Sequence, residues 1–148
     1  ATALVLEPLD FLRRLAALHP GIVRLDSSML SFQNRPLWCI KISDNPGVEE
    51  DEPQVFFNGA THAREPMGTH TCINFAGLLC AGYGVDSTIT WLVNNREILI
   101  VPVMNPDGYV YNSDSGGSGS YWRKNRRSPV PPNIGTLRCG QWIWYRSI

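Results

Sequence analysis

The sequence lacks three features that would define its class at once: a long apolar run, an excess of charge of one sign and a Cys-x-x-Cys pair. No stretch approaches the roughly 20 apolar residues of a membrane-spanning helix, so we expect no membrane association. Lys and Arg together number 13, and so do Asp and Glu, which leaves no net charge to attract nucleic acid. With 148 residues, of which 43% are hydrophobic, the chain suits one soluble globular domain.

The four cysteines do not form a recognisable disulfide framework. Cys72 and Cys80 lie on one predicted helix, about 12 Å apart along its axis, which is too far for a disulfide. We expect most of the cysteines to be small buried hydrophobic residues. The first residues also lack the basic region and apolar stretch of a signal peptide, so we expect a processed chain or an internal fragment.

Apolar periodicity and breaker residues predict an α/β domain. Helices are predicted at residues 8–18, from Pro66 to about residue 82, and after an N-cap at Asp86. Strands are predicted at residues 22–25, 29–32, 37–43, 55–57 and 98–104, and the second and third of these form a hairpin. The later order of strand, helix and strand predicts a parallel crossover, with Asn105 at the same sheet edge as His62.

The segment at residues 54–65, QVFFNGATHARE, carries the strongest indication of chemistry. Its apolar run ends at Asn58-Gly59 and predicts a fully buried strand, after which a helix begins almost at once. His62 and Glu65 therefore lie in the turn between a strand's carboxyl end and a helix, where open α/β sheets place their ligands. An imidazole and a carboxylate in one turn can bind the same small cation, and zinc accepts both nitrogen and oxygen ligands.

The turn that carries His62 and Glu65 has alternatives to zinc binding. Most isolated His-x-x-Glu pairs are solvated loop residues, so context decides whether this pair binds metal. The metalloprotease motif His-Glu-x-x-His does not fit, because Ala63 and Pro66 stand at the positions that it needs. His70 is interpreted as a helix-surface or packing residue rather than a ligand.

Two charged segments have ordinary explanations. The acidic run at residues 49–52 is typical of a solvated loop, with a calcium or partner role as the alternative. Residues 121–127, YWRKNRR, mix aromatic and basic side chains as a nucleic-acid patch does. The patch is short and the domain is neutral, so we expect no nucleic-acid partner. Residues 112–120 are predicted to form a flexible polar loop.

Three short segments carry chemically distinctive residues. In chain order they are Thr-His-Ala-Arg-Glu-Pro at residues 61–66, Asn-Pro-Asp-Gly at 105–108 and Trp-Arg-Lys at 122–124. Their order and separations resemble the zinc carboxypeptidases of the carboxypeptidase A type, from about residue 9 to about residue 136. The resemblance implies a three-layer α/β fold with a mixed, mainly parallel sheet flanked by helices and incomplete at its C-terminus. Zinc amidohydrolases that act on acylated amino acids also use His-x-x-Glu, but the Trp-Arg-Lys segment favours the peptidase.

The resemblance implies hydrolysis of C-terminal residues from peptides or proteins by a zinc-activated water. Zn²⁺ would be held by His62, Glu65 and a histidine beyond this chain. Arg123 would contact the substrate and stabilise the oxyanion, a task that suits a fixed guanidinium. Arg64 would contact the peptide backbone, although a surface salt bridge explains it equally well. We expect Asp107 to be structural rather than catalytic, and the protein to be extracellular.

Residues 137–148 depart from the family pattern. We expect residues 1–136 to be the N-terminal portion of a zinc carboxypeptidase catalytic domain and residues 137–148 to be a divergent tail. The family's substrate-gripping Asn-Arg segment does not follow, and the third zinc ligand and the general-base glutamate would lie beyond residue 148. The alternative is a truncated, non-catalytic product that binds peptide or a partner. Uncovered sheet surface would then favour self-association.

Overall fold

The computed structural model describes residues 3–114 and 121–127 of the chain. The elements, in chain order, are α1 (Ala3–Leu18), β1 (Val23–Leu30), β2 (Pro36–Ile42), β3 (Gln54–Asn58), α2 (Met67–Gly82), α3 (Ser87–Val93), β4 (Glu97–Val101) and α4 (Pro106–Asp114). The strands form one sheet in the order β1-β2-β4-β3, in which β3 and β4 are parallel and the other neighbours are antiparallel. The α/β class, the mixed sheet and the parallel crossover are therefore confirmed. No helix within the described ranges is long and apolar enough to cross a bilayer.

The core lies between one face of the sheet and the helices α1 and α2. Alternate residues of the two central strands point to this face because successive side chains of a strand point in opposite directions. These residues are at most 3% exposed: Ile40, Ile42, Ile98 and Ile100. The buried residues of α2 recur at helical spacing, as the sequence predicts, and include Cys72, Ala76, Leu79 and Cys80.

The described cysteines are free thiols. Cys72 and Cys80 are buried about two turns apart on α2, and Cys39 is half-buried on β2. Burial raises the pKa of the Cys80 thiol to about 11, so it stays protonated. Both helical cysteines pack as small hydrophobic groups, as predicted, whereas Cys139 lies outside the described residues.

Two N-terminal elements are longer than the sequence predicts. Helix α1 begins at Ala3, and Pro8 lies inside it rather than at its start. Strand β1 runs as one element where the sequence predicts two short strands, and it pairs with β2 as the predicted hairpin. The apolar face of α1 also ends earlier than predicted, because Leu18 is 74% exposed.

The prediction that β3 is fully buried is wrong. Every residue of β3 is exposed, including Val55 at 36%, Phe56 at 47% and Phe57 at 39%. Among the described residues β3 pairs only with β4, so it is an edge strand. A strand that is packed on both faces requires an apolar run, but such a run does not show whether other elements pack on the strand. Phe57 still packs edge-to-face on Phe75 of α2, with ring centres 4.9 Å apart.

The Asn-Pro-Asp-Gly segment leads into a helix instead of forming the predicted turn. Pro106 is the first residue of α4, where its missing N–H costs nothing. Asp107 is buried and accepts hydrogen bonds from Ser31 Oγ at 2.6 Å, the Gln33 N–H at 3.0 Å and Arg35 Nη1 at 2.9 Å. Asp107 thus ties the β1–β2 hairpin to α4, which agrees with its predicted structural role. The predicted polar loop also begins later, because α4 extends to residue 114 and residues 115–120 lie outside the described ranges.

A buried ion pair joins β2 to β4. Lys41 Nζ donates to Glu97 Oε1, and the Glu97 side chain is only 1% exposed. The same carboxylate accepts hydrogen bonds from Gln54 Nε2 at 2.6 Å and from the Glu50 N–H at 3.1 Å. The hydrogen bond from Lys41 is the largest cause of a lowered pKa for Glu97, so the carboxylate remains charged inside the fold.

Replacing Lys41 with Met should leave the buried Glu97 without its cation. We expect the free energy of unfolding at neutral pH to fall by about 3 kcal/mol, because an unpaired buried charge is strongly destabilising. In the wild type the lowered pKa stabilises the fold above the ordinary value of 4.5, and this contribution is lost as the pH falls through the folded-state pKa. The difference in free energy of unfolding between the wild type and Lys41→Met should therefore become smaller below the folded-state pKa of Glu97.

Urea unfolding at several pH values measures both effects. Arg24→Met on β1 is the matched control, since the exposed Arg24 side chain makes one hydrogen bond within the described part of the chain, to the Gly47 carbonyl at 3.4 Å. Equal losses in the two variants, or a Lys41→Met difference that does not change with pH, would contradict this account.

Candidate metal centre

The loop between β3 and α2 is anchored to the end of β4 by backbone contacts. The Gly59 N–H donates to the Val101 carbonyl at 3.0 Å, and the Met104 N–H donates to the Gly59 carbonyl at 2.9 Å. A Cβ at Gly59 would lie 2.5 Å from the backbone of Gly68, so no side chain fits between the loop and α2. Ala60 then adopts the left-handed conformation, with φ of 46°. The residues that follow therefore start from a fixed backbone.

His62 and Glu65 come together one turn further along. His62 Nδ1 and Glu65 Oε2 lie 3.0 Å apart, and the Glu65 N–H donates to the His62 carbonyl at 3.1 Å. Two ligands of one tetrahedral zinc ion lie about 3.3 Å apart, given metal–ligand distances near 2.0 to 2.1 Å, so this pair fits a shared cation. The His62 side chain is 25% exposed and that of Glu65 is 55% exposed, which leaves the pair open to a ligand from solvent.

The local charges favour the anionic form of Glu65. Its hydrogen bond with His62 is the largest cause of a lowered pKa, and the charges of His62, Arg123 and Arg64 act in the same direction. Metal ions bind carboxylates in their deprotonated form. Glu65 is therefore held in the state that a metal ligand needs.

Arg123 completes the cluster from a distant part of the chain. Its Nη2 lies 3.0 Å from His62 Nδ1, and its Nε lies 3.7 Å from Glu65 Oε1. The guanidinium is thus directed at the two candidate zinc ligands. One ring nitrogen cannot serve both neighbours at once: Nδ1 donates to the Glu65 carboxylate in its protonated form and accepts from the Arg123 guanidinium through its lone pair in the other tautomer. The second form carries the lone pair that a metal ion would use.

Asn105 links the two parts of the site, and sequence reasoning did not assign it a role there. Its Nδ2 donates to the Lys124 carbonyl at 3.0 Å and lies 3.4 Å from the Thr61 carbonyl. The Ala63 N–H donates to the Arg123 carbonyl at 3.1 Å, which adds a direct backbone contact between the two segments. The position of Asn105 directly after a strand, at the sheet edge shared with His62, is the signal that could have identified it.

The other candidate residues lie around the cluster. Arg64 is exposed, and its Nη1 donates to the Tyr121 carbonyl at 3.5 Å. His70 is exposed on α2, in agreement with its interpretation as a surface residue.

Within residues 3–114 and 121–127, three possible metal ligands gather only at Asp44, Glu50 and Glu52, whose ligand atoms lie within 4.8 Å of one another. Partial burial, followed by the neighbouring charges, raises the pKa of Glu52. This group lies in the loop between β2 and β3 and includes Glu50 and Glu52 of the acidic run, whereas Glu49 and Asp51 of that run are exposed. The group includes neither His62 nor Glu65, which therefore meet no third His, Cys, Asp or Glu ligand in the described part of the chain.

Known proteins match most of this chain with a small part of their own length. The chain is 44% identical to a zinc carboxypeptidase of Saccharothrix mutabilis subsp. capreolus over 124 residues, which cover 84% of this chain and 28% of that protein. It is 32% identical over 142 residues to a Talaromyces marneffei protein named inactive metallocarboxypeptidase ecm14, covering 92% of this chain and 23% of that protein.

A solved structure agrees with these sequence matches. Carboxypeptidase A from Helicoverpa armigera superposes with a TM-score of 0.60 at 31% identity, covering 78% of this chain and 27% of that one. The model of the zinc carboxypeptidase family matches residues 9–137, a range that contains all three motif segments. The chain therefore belongs to the zinc carboxypeptidase family.

Proposed function

We propose that residues 1–136 are the N-terminal portion of the catalytic domain of a zinc metallocarboxypeptidase, followed by a divergent tail at residues 137–148. The proposed reaction is hydrolysis of C-terminal residues from peptides or proteins, in an extracellular setting. The observation that carries this proposal is the convergence on His62 Nδ1, which lies 3.0 Å from both Glu65 Oε2 and Arg123 Nη2. An imidazole and a carboxylate can both bind a metal ion, and a fixed guanidinium lies beside them. This arrangement suits the hydrolysis of a carbonyl compound.

His62 and Glu65 are the proposed zinc ligands. Their ligand atoms are spaced for a shared ion, and the lowered pKa keeps Glu65 anionic. A bound zinc ion would lower the pKa of a water molecule and polarise the scissile carbonyl. A working site also needs a third protein ligand and a general base, which would come from sequence outside the described residues.

Arg123 and Arg64 are the proposed substrate-binding residues. Negative charge develops on the carbonyl oxygen during attack, and a guanidinium held next to the proposed ligands can stabilise it. Arg123 is therefore the proposed catalytic residue. Arg64 reaches the Tyr121 carbonyl, so its side chain lies along the segment that carries Arg123 and is suited to contact the peptide further from the scissile bond.

A non-catalytic, peptide- or partner-binding product of the same fold is the second candidate. Two observations favour it: His62 and Glu65 meet no third ligand among the described residues, and one relative carries the name inactive metallocarboxypeptidase. The first candidate requires zinc-dependent turnover in a polypeptide that continues this chain through a complete family domain, whereas the second requires only that the chain itself binds a peptide or partner.

The isolated 148-residue chain should bind zinc weakly and show no carboxypeptidase turnover. Two ligands do not make the three-ligand site of a zinc enzyme. The measurement is metal content after dialysis, together with hydrolysis of blocked dipeptides with and without added zinc. His62→Ala should abolish the residual zinc binding, whereas the control His70→Ala should not. One tightly held zinc per chain with chelator-sensitive turnover would show that the chain itself supplies the missing groups.

In a polypeptide that continues this chain through a complete family domain, Arg123→Ala should lower kcat by about a hundredfold or more, with a smaller effect on KM. This pattern follows the loss of an oxyanion donor, which acts only in the transition state. Steady-state kinetics on a peptide substrate measure both constants, and Lys124→Ala removes the adjacent exposed cation as a control. An effect on KM alone would assign Arg123 to ground-state binding.

Self-association of the isolated chain is proposed to occur through β3. Its exposed side chains are apolar at Val55, Phe56 and Phe57, and no charged residue or proline lies within the strand. Natural edge strands usually carry charged residues or proline, which oppose pairing with another chain. The uncovered edge therefore favours strand pairing between copies.

The isolated chain should be only partly monomeric, and Phe56→Lys should shift it towards monomer. A lysine on an edge strand opposes pairing through charge repulsion. Phe56 is the better target because Phe57 packs on Phe75, so its loss would disturb the fold. Sedimentation velocity over a concentration series measures the change, with Val85→Lys, at a residue 86% exposed outside the sheet, as the control. A wild-type chain that stays monomeric at every concentration would refute this surface.

A further inference from the structure

The segment that carries Arg123 is held through its backbone rather than by regular secondary structure. Residues 121–127 form neither helix nor strand. Three consecutive carbonyls in this segment nevertheless accept hydrogen bonds from three different parts of the fold. The donors are Asn112 Nδ2 to Trp122 at 2.8 Å, the Ala63 N–H to Arg123 at 3.1 Å and Asn105 Nδ2 to Lys124 at 3.0 Å.

The Asn112 side chain makes two hydrogen bonds with the backbone of Trp122, in the way that a residue of a neighbouring strand does. Its Nδ2 donates to the Trp122 carbonyl, and its Oδ1 accepts from the Trp122 N–H at 3.1 Å. Stacking adds to this contact, because the Arg126 guanidinium lies 3.8 Å from the ring centre of Tyr111 and 4.6 Å from that of Trp122. The last turns of α4 therefore fix the residue immediately before Arg123.

Asn105 binds the other side of Arg123. It is only 7% exposed, and its Oδ1 accepts from the Gly108 N–H at 3.0 Å, which locks the side chain onto the first turn of α4. Space here is closely filled: a Cβ at Gly108 would lie 2.6 Å from Ala63 Cβ and 2.8 Å from the Lys124 carbonyl oxygen. Only a glycine at this position lets the loop that carries His62 and the segment that carries Arg123 approach each other.

We propose that Asn105 and Asn112, which we call the asparagine clamp, are positioning residues for Arg123. The two residues are seven positions apart, about two helical turns, so α4 sets the distance between the points at which the segment is held. Arg123 lies between those points with its backbone fixed on both sides. Its guanidinium then reaches His62 Nδ1 without the entropic cost of ordering the backbone as well as the side chain. This inference rests on the proposed role of Arg123.

The first test follows hydrogen exchange of the Ala63 amide in the 148-residue chain. Asn112→Asp and Asn105→Asp each keep the acceptor oxygen and remove the donor to the segment's carbonyls. Each should accelerate exchange of the Ala63 amide about tenfold, the loss expected when a hydrogen bond of about 1.4 kcal/mol no longer restrains opening. The amides of β4 should be unaffected.

Asn95→Asp is the matched control, because Asn95 Nδ2 donates to the Trp91 carbonyl at 2.8 Å far from this segment in the chain. Unchanged exchange at Ala63 in both clamp variants, or equal acceleration in the control, overturns the proposal. If Asn105→Asp also accelerates exchange throughout β4, the chain has unfolded and Asn112→Asp alone decides.

The second test separates positioning from general stability. In a polypeptide that continues through a complete family domain, Asn112→Asp should lower kcat with little change in KM and should add nothing to the loss caused by Arg123→Ala. If the reductions in kcat caused by the two substitutions multiply in the double variant, Asn112 acts independently of Arg123 and the positioning role is overturned. If Arg123→Ala alone leaves kcat unchanged, the proposed function of Arg123 fails, while the exchange experiment still decides whether the clamp holds the segment.

Discussion

The parallel pairing of β3 with β4 is the constraint on which the rest of the structure depends. The register places Asn58 opposite Val101, so both strands end at the same edge of the sheet. Parallel neighbours need a long crossover, which α2 and α3 supply, and α2 begins where the site begins. A register slip of one residue would reverse the faces of β3 and would separate the loop that carries His62 from the residues after β4.

Features that depend on neighbours along the chain could be predicted from the sequence. Asp86 accepts hydrogen bonds from the Thr88 and Ile89 amides and caps α3, as its residue type indicates. The buried face of α2 follows from its apolar spacing, and the β1–β2 hairpin follows from its turn residues. Among the candidate site residues, the family resemblance implies that Arg123 acts beside the zinc ligands, and the structure brings the side chains of His62, Glu65 and Arg123 together.

Features that depend on distant parts of the chain could not be predicted in this way. The apolar run of β3 indicates that the strand is hydrophobic, but its burial depends on what lies beside it. Asp107 meets the β1–β2 hairpin across more than 70 positions, and Asn112 meets Trp122 across ten, without any periodic pattern to mark either contact. Asparagine is also common in turns and caps, so its residue type alone favours a local role.

Because Gly59 and Gly68 pack closely, folding of this loop does not depend on metal uptake, whereas many small zinc proteins fold only as they bind the ion. In a zinc finger the ion organises its own ligands, so folding and metal uptake occur together. Here three backbone segments meet at Gly59, with Gly68 on one side and the Pro102 carbonyl on the other, and the fold brings them together through packing and hydrogen bonds. The loop that presents His62 and Glu65 is therefore shaped by the polypeptide, so the proposed metal uptake would be a binding event on an already folded scaffold.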